Sequence, residues 1–180
     1  MTVLDVVCFS IKMIGDDNLY KYLVGEGEEN QSYKSDKDLI LIAYNQAIQT
    51  ASCYYPLEYT ETLSAVGGRI KYSSFTHNPY KIIEIKGDKR AKINPTEILT
   101  NGKLTVTYYY VPSANDLSED FIFLSTPISA VTIAFGVLSE FLIYKGRFEE
   151  ASMYVDKFIN ALKNFKIASS NMRIKAREWF

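Results

Sequence analysis

Gly102-Lys103-Leu104-Thr105-Val106-Thr107-Tyr108-Tyr109-Tyr110-Val111-Pro112 is the stretch that decides the fold. It alternates with a period of two, which places Leu104, Val106, Tyr108 and Tyr110 on one face of a strand and Thr105, Thr107, Tyr109 and Val111 on the other. β-branched and aromatic residues fit a pleated, half-buried surface, and Pro112 cannot continue a ladder. Upstream, Tyr59–Val66, Arg69–Tyr72 and Tyr80–Lys86 read as further strands, separated by Gly67-Gly68, Asn78-Pro79, Gly87-Asp88 and Asn101-Gly102. These breaks predict one small antiparallel sheet with hairpins at Gly67-Gly68 and Asn101-Gly102. Residues 87–100 have room for one more short strand, limited by Pro95.

On either side of this region the period changes to that of a helix. Val3, Val6, Val7, Phe9, Ile11 and Ile14 form a helical register that closes on Gly15. Residues 16–35 lose the periodicity, so they read as a mobile acidic loop that includes Glu26, Glu28 and Glu29. A second helix is expected to open at Ser35, with Asp36 and Asp38 in its first turn and Leu39, Ile42, Ala43 and Ala47 following. After Pro112, Ser118 with Leu117 and Ile122 has the form of a helix start with a hydrophobic staple. Pro127 then begins the main helix, with Ile128, Val131, Phe135, Leu138 and Leu142 on its apolar side. The link Lys145-Gly146-Arg147 is so short that the next helix, carrying Phe148, Ala151, Val155, Phe158, Leu162 and Phe165, must run back antiparallel.

The reading is therefore an α+β fold, mainly helical. It has an N-terminal helix pair over 1–55, a small antiparallel β-sheet over 56–112 and a C-terminal helical hairpin over 117–165, taken together as one domain. An extended basic-aromatic arm follows over 166–180. With 180 residues, 47% of them apolar, the chain can bury its own core. It has no stretch of roughly 18 uninterrupted apolar residues, so no membrane helix is expected, and the opening segment lacks the form of a secretory leader. Cys8 and Cys53 both lie in apolar helical patterns and read as reduced and buried.

Charge is segregated along the chain. The total nearly cancels, with 20 Lys and Arg against 21 Asp and Glu, so no global field draws the protein onto nucleic acid. Residues 16–38 nevertheless hold seven acids and three lysines, and residues 163–180 hold five bases and one acid. The tail, with Arg173, Lys175, Arg177, Trp179 and Phe180, reads either as an arm for a partner or as a helix folded back over a core edge. Fourteen tyrosines give large contact areas with polar tips, although A- and T-rich codons would enrich tyrosine too.

Reactive chemistry is scarce. One histidine and two distant cysteines do not make a zinc site. His77 lies in a turn sequence, with no Gly-x-Ser-x-Gly elbow to serve. Gly25 and Gly27 are flanked by acids that would repel a phosphate, and the loop lacks the calcium-loop pattern. No catalytic, cofactor or metal residue is assigned, and the chain reads as a protein that works through its surfaces. An enzyme using a carboxylate pair is the remaining chemical alternative.

The order of elements and several local strings resemble the tailed-bacteriophage head-tail connector family, also called adaptor or head-completion proteins. The strings are Met13-Ile14-Gly15, the loop Gly25-Glu26-Gly27-Glu28, Leu41-Ile42-Ala43-Tyr44-Asn45-Gln46-Ala47, and Gly68-Arg69-Ile70-Lys71-Tyr72. They continue as the quoted strand, Ala134-Phe135-Gly136-Val137-Leu138-Ser139-Glu140-Phe141-Leu142, Lys145-Gly146-Arg147-Phe148-Glu149-Glu150-Ala151, and a basic tail ending near Trp179. Arg177-Glu178 stands where the family commonly has a basic pair before the Trp.

The resemblance implies a non-enzymatic virion protein, made in the host cytoplasm. Such a protein forms a ring of about twelve identical copies under the portal protein at the head-tail junction and extends the DNA channel toward the next tail or neck protein. It implies no cofactor and no membrane partner, and genomic DNA that passes through without sequence-specific binding. It assigns Arg173, Lys175, Arg177, Trp179 and Phe180 to the portal or a neighbouring subunit. Tyr108, Tyr109, Tyr110, Glu26, Glu28 and Glu29 are the expected inter-subunit contacts. A tail-completion or tail-terminator ring is the alternative within the same class.

Overall fold

The structure, a computed structural model, describes residues 1–88, 90–123 and 126–171. Its elements are of the α+β class. The chain divides into two compact units, a helical one formed by Met1–Tyr55 and the chain from Ala114 onward, and a β unit formed by Pro56–Ser113.

In the helical unit, α1 (Val3–Ile14) starts at a capping box. The Thr2 N–H donates to Asp5 Oδ2 at 2.7 Å and the Asp5 N–H donates to Thr2 Oγ1. The helix ends at Gly15, whose φ of 72° is left-handed. The expected loop over 16–35 is shorter than its composition suggested. Asp16 caps a further helix, α2 (Asp17–Leu23), by accepting from the Leu19 N–H at 3.0 Å, and Leu19 is fully buried.

The next helix, α3 (Gln31–Tyr54), begins one turn before Ser35, capped by Asn30. Asp36 is consequently not a first-turn acid. It sits inside the helix, mostly buried, where Lys145 donates to both its oxygens at 2.8 and 3.0 Å. Buried residues Ile40, Ala43, Tyr44, Ala47, Ile48 and Ala51 give α3 its core stripe, whereas Cys53 is exposed, contrary to its sequence reading.

No helix opens at Ser118. Residues 114–123 run as irregular chain along the start of α1. The Val3 N–H donates to the Glu119 carbonyl at 2.9 Å, the Leu4 N–H to Leu117 at 3.0 Å, and the Phe121 N–H to Met1 at 3.1 Å. The first amides of a helix lack internal acceptors, and this segment supplies them, which outweighs the local staple signal. The same segment is fixed to α3 through Asn45, whose side chain accepts from the Asn115 N–H at 2.7 Å and donates to the Asn115 carbonyl at 3.2 Å.

The helix expected to begin at Pro127 starts three residues later as α4 (Ala130–Tyr144), capped by Ser129, whose hydroxyl accepts from the Thr132 N–H. This helix is buried on most of its circumference, through Ile133, Ala134, Val137, Leu138, Phe141 and Leu142, while Val131 faces solvent. Gly146 (φ 73°) turns the chain into α5 (Phe148–Asn171), which packs on α4. Its first residue, Phe148, lies outside the core at 66% exposure.

The β unit holds two three-stranded antiparallel sheets instead of one. In the first, β6 (Lys103–Tyr110) lies between β1 (Leu57–Ser64) and β3 (Pro79–Lys86). In the second, β5 (Glu97–Leu99) lies between β2 (Arg69–Lys71) and β4 (Lys92–Ile93). The Gly67-Gly68 turn is present, with both glycines at positive φ and Val66 bridged to Arg69, as a two-residue hairpin turn requires. Its two flanks, however, pass into different sheets. Asn101-Gly102 likewise links β5 to β6 across sheets and does not close a hairpin. The alternation of β6 holds, with Leu104, Val106, Tyr108 and Tyr110 buried.

Candidate interaction surfaces

The inner face of the first sheet organises a polar-aromatic network around Tyr108. Tyr108 is fully buried, and its hydroxyl donates to Glu61 Oε1 at 2.6 Å while accepting the His77 backbone N–H at 3.3 Å. Thr76 donates to the same carboxylate twice, from its N–H to Oε1 at 3.0 Å and from its hydroxyl to Oε2 at 2.9 Å. The His77 ring stacks on Tyr110 at 4.1 Å with an interplanar angle of 12°, and Tyr59 meets that ring edge-on at 4.9 Å. Phe75 closes on Tyr108 at 5.1 Å.

The electrostatics follow from these contacts. Burial pushes Glu61 upward, but the hydrogen bonds from Tyr108 and Thr76 outweigh it and hold the carboxyl below its ordinary value. Burial, reinforced by the Glu61 carboxylate, raises the Tyr108 hydroxyl well above the ordinary tyrosine value. An ionised Glu61 and a neutral Tyr108 form a stable donor-acceptor pair that pins the Thr76-His77 turn to β1 and β6.

Of the three tyrosines expected at a subunit boundary, Tyr108 and Tyr110 thus point into their own unit. Tyr109 occupies the opposite face, half-buried, with its ring stacked near Tyr80 at 6.2 Å. That face also carries a ladder of threonines, Thr60 against Thr107 and Thr62 against Thr105, each hydroxyl pair at 3.0 Å.

Glu26, Glu28 and Glu29 are all exposed, in the short connection between α2 and α3. Gly27 lies so close to the end of α2 that a Cβ there would sit 2.7 Å from the Tyr22 nitrogen, so the connection folds against the helix it leaves. Tyr22 and Tyr33 pair with ring centroids 5.9 Å apart beside a depression of about 320 Å³ lined by Tyr22, Glu29, Asn30, Gln31 and Lys34. Among the described residues, no three His, Cys, Asp or Glu side chains are grouped to hold a metal ion, and no helix is long and apolar enough to cross a membrane. Arg173, Lys175, Arg177, Trp179 and Phe180 lie outside the described residues.

Sequence reasoning missed the Glu61-Thr76-His77-Tyr108 network. Its one local signal is an acid on the otherwise apolar inward row Leu57, Tyr59, Glu61, Leu63, a charge that demands partners. Large apolar side chains also stay at the surface of each unit, Val66 (80% exposed), Ile93 and Ile83 in the β unit and Phe148, Met153 and Ile42 in the helical unit. No known protein-family model matches the chain, and comparison with curated proteins finds no match.

Proposed function

We propose that this chain is a structural protein of a tailed-phage virion that assembles as a ring at the head-tail junction, docks under the portal and extends the DNA channel toward the tail. The observation that carries the reading is the ordered series of connector-like strings from Met13-Ile14-Gly15 to the basic tail before Trp179. Two structural features support it. The helical hairpin α4–α5 and the inserted β unit follow one another in the order the resemblance implies, and each unit leaves large apolar side chains in solvent. The near-neutral total charge suits a conduit through which DNA slides without being gripped.

The test is to image the portal vertex of particles assembled with and without the protein. A ring beneath the portal that depends on the protein is the expected result, and a vertex without it refutes the proposal. A six-fold ring on isolated tail tubes would assign the chain to tail completion instead.

A further inference from the structure

We propose that the outer edge of β1 is an acceptor for one added strand, and that residues 172–180 of a second copy of this chain supply it. The inference deepens the ring reading above and rests on it for the partner being another copy.

The edge itself is defined by the ladder. Ala65 donates its N–H to the Gly102 carbonyl at 3.1 Å, and the register Ser64 opposite Lys103 places Ala65 directly opposite Gly102. That pair is therefore a hydrogen-bonded site, and such sites alternate along an antiparallel ladder. Leu57, Tyr59, Glu61 and Leu63 accordingly bond β6, while Glu58, Thr60, Thr62 and Ser64 turn their N–H and C=O groups outward. The close Thr60–Thr107 and Thr62–Thr105 hydroxyl pairs fall at the non-hydrogen-bonded positions, where opposed side chains come nearest, which agrees with this phase. All four outward residues are exposed, and none has a backbone partner among the described residues.

The other sheet edges are protected. β3 carries Pro79, Lys81, Lys86 and two register shifts, and β2 and β4 have three and two residues. β1 has eight residues in unbroken register, with no Pro, Gly, Lys or bulge. An edge of that kind is a template for another strand.

The occupant is chosen by charge and pattern. β1 carries Glu58 and Glu61 and no base, so pairing it with the β1 of a second copy would gather four carboxylates. A basic segment is favoured as the added strand, and the sequence contains one of alternating pattern in Met172-Arg173-Ile174-Lys175-Ala176-Arg177. Its alternation sets Met172, Ile174 and Ala176 in one row and Arg173, Lys175 and Arg177 in the other. Added to β1, the apolar row extends Leu57, Tyr59 and Leu63, and the basic row lies beside Glu58 and the threonines. Nine residues, 172–180, span an eight-residue edge.

The test uses two differently tagged full-length proteins in a Cys53→Ser background, one with Thr62→Cys and the other with Lys175→Cys, mixed with a short bis-maleimide. The expected product joins the two tags, and Thr60→Pro on the first protein lowers its yield roughly tenfold by removing an outward N–H, with circular dichroism unchanged. If Thr60→Pro impairs folding, Ile174→Pro with Arg177→Pro in the second protein makes the same test from the tail. A product no more abundant than that from a Met153→Cys control, or one indifferent to the prolines, overturns the inference. A tail that docks on its own chain gives no mixed product and overturns it as well. A ring imaged under the portal without this cross-link would refute the strand addition alone, whereas the cross-link without a ring would refute only the assignment to the virion neck.

Discussion

Gly136 of α4 faces both Ala47 of α3 and Phe158 of α5, and adding one methyl group there has a calculable consequence. A Cβ at this position would stand 2.8 Å from Phe158 Cζ and 2.9 Å from Ala47 Cβ, roughly half an ångström inside the 3.4 Å where ordinary contact begins. Ala47 Cβ is fixed to the backbone of α3 and cannot rotate away, and Phe158 is itself buried in the core. Relieving the overlap requires α4 to shift against α3 or the Phe158 ring to leave its rotamer, an overpacking cost of about 1–3 kcal/mol. Alanine in a helix interior returns about 1 kcal/mol relative to glycine. The net expectation for Gly136→Ala is a loss of roughly 1 kcal/mol in urea unfolding followed by far-ultraviolet circular dichroism. Combining it with Phe158→Leu should cost less than the sum of the single changes by about 1 kcal/mol, because the shortened side chain vacates the space the methyl needs. A Gly136→Ala protein stabilised by the full helix-propensity gain, or single effects that simply add, would refute the steric argument.

Three further expectations follow from the contacts. Because the folded pKa of Glu61 is depressed, its stabilising contribution is present above its unfolded value of about 4.3 and disappears as pH falls through the folded value. Glu61→Gln should therefore flatten the acid limb of β-unit stability below about pH 5, and an unchanged limb in urea titrations would refute the network's role. Lys145→Met leaves Asp36, 11% exposed, without its cation, and should cost about 1–3 kcal/mol, most of it recovered by adding Asp36→Asn; failure of that recovery in thermal melts would refute the pairing. Thiol titration of the native protein should label Cys53 rapidly and Cys8 slowly, because Cys8 is buried and burial raises its thiol pKa, and equal rates would contradict the fold around α1.

Where a signal is local, the fold was legible. The capping glycines Gly15 and Gly146 and the alternation of β6 are each written within a few residues, and each is found where the periodicity places it. α2 escaped because it has seven residues and buries one of them fully, Leu19, too little to imprint a helical period on a polar stretch. The start of α3 was displaced because Ser35 and Asn30 are both good caps, and only tertiary contact, the Asp36–Lys145 pair across 109 residues, shows which one the helix uses. The partition into two sheets was not legible at all. Turn chemistry at Gly67-Gly68 fixes the turn but not the destination of the strand beyond it, and β1 meets β6 across 47 residues at the Thr60–Thr107 pair. The same separation hides the Glu61 site, whose partners lie 15 and 47 residues away.

The distribution of edge protection bears on what kind of assembly this chain can build. A two-fold pairing through β1 is opposed by its carboxylates, and the remaining edges are too short or too irregular to template a neighbour. A copy whose β1 edge accepts the basic tail segment of another copy, as proposed above, makes a heterologous contact, in which donor and acceptor surfaces differ. Such contacts consume one edge and one tail per copy, so growth stops only when the last tail reaches the first edge, giving a ring, or continues as a filament if the rotation does not close. Charge segregation works in the same direction. Like-charged basic tails repel one another, which favours an acidic edge over another tail as the proposed partner, and salt that screens Arg173, Lys175 and Arg177 should loosen a contact of this kind before it affects either unit's core.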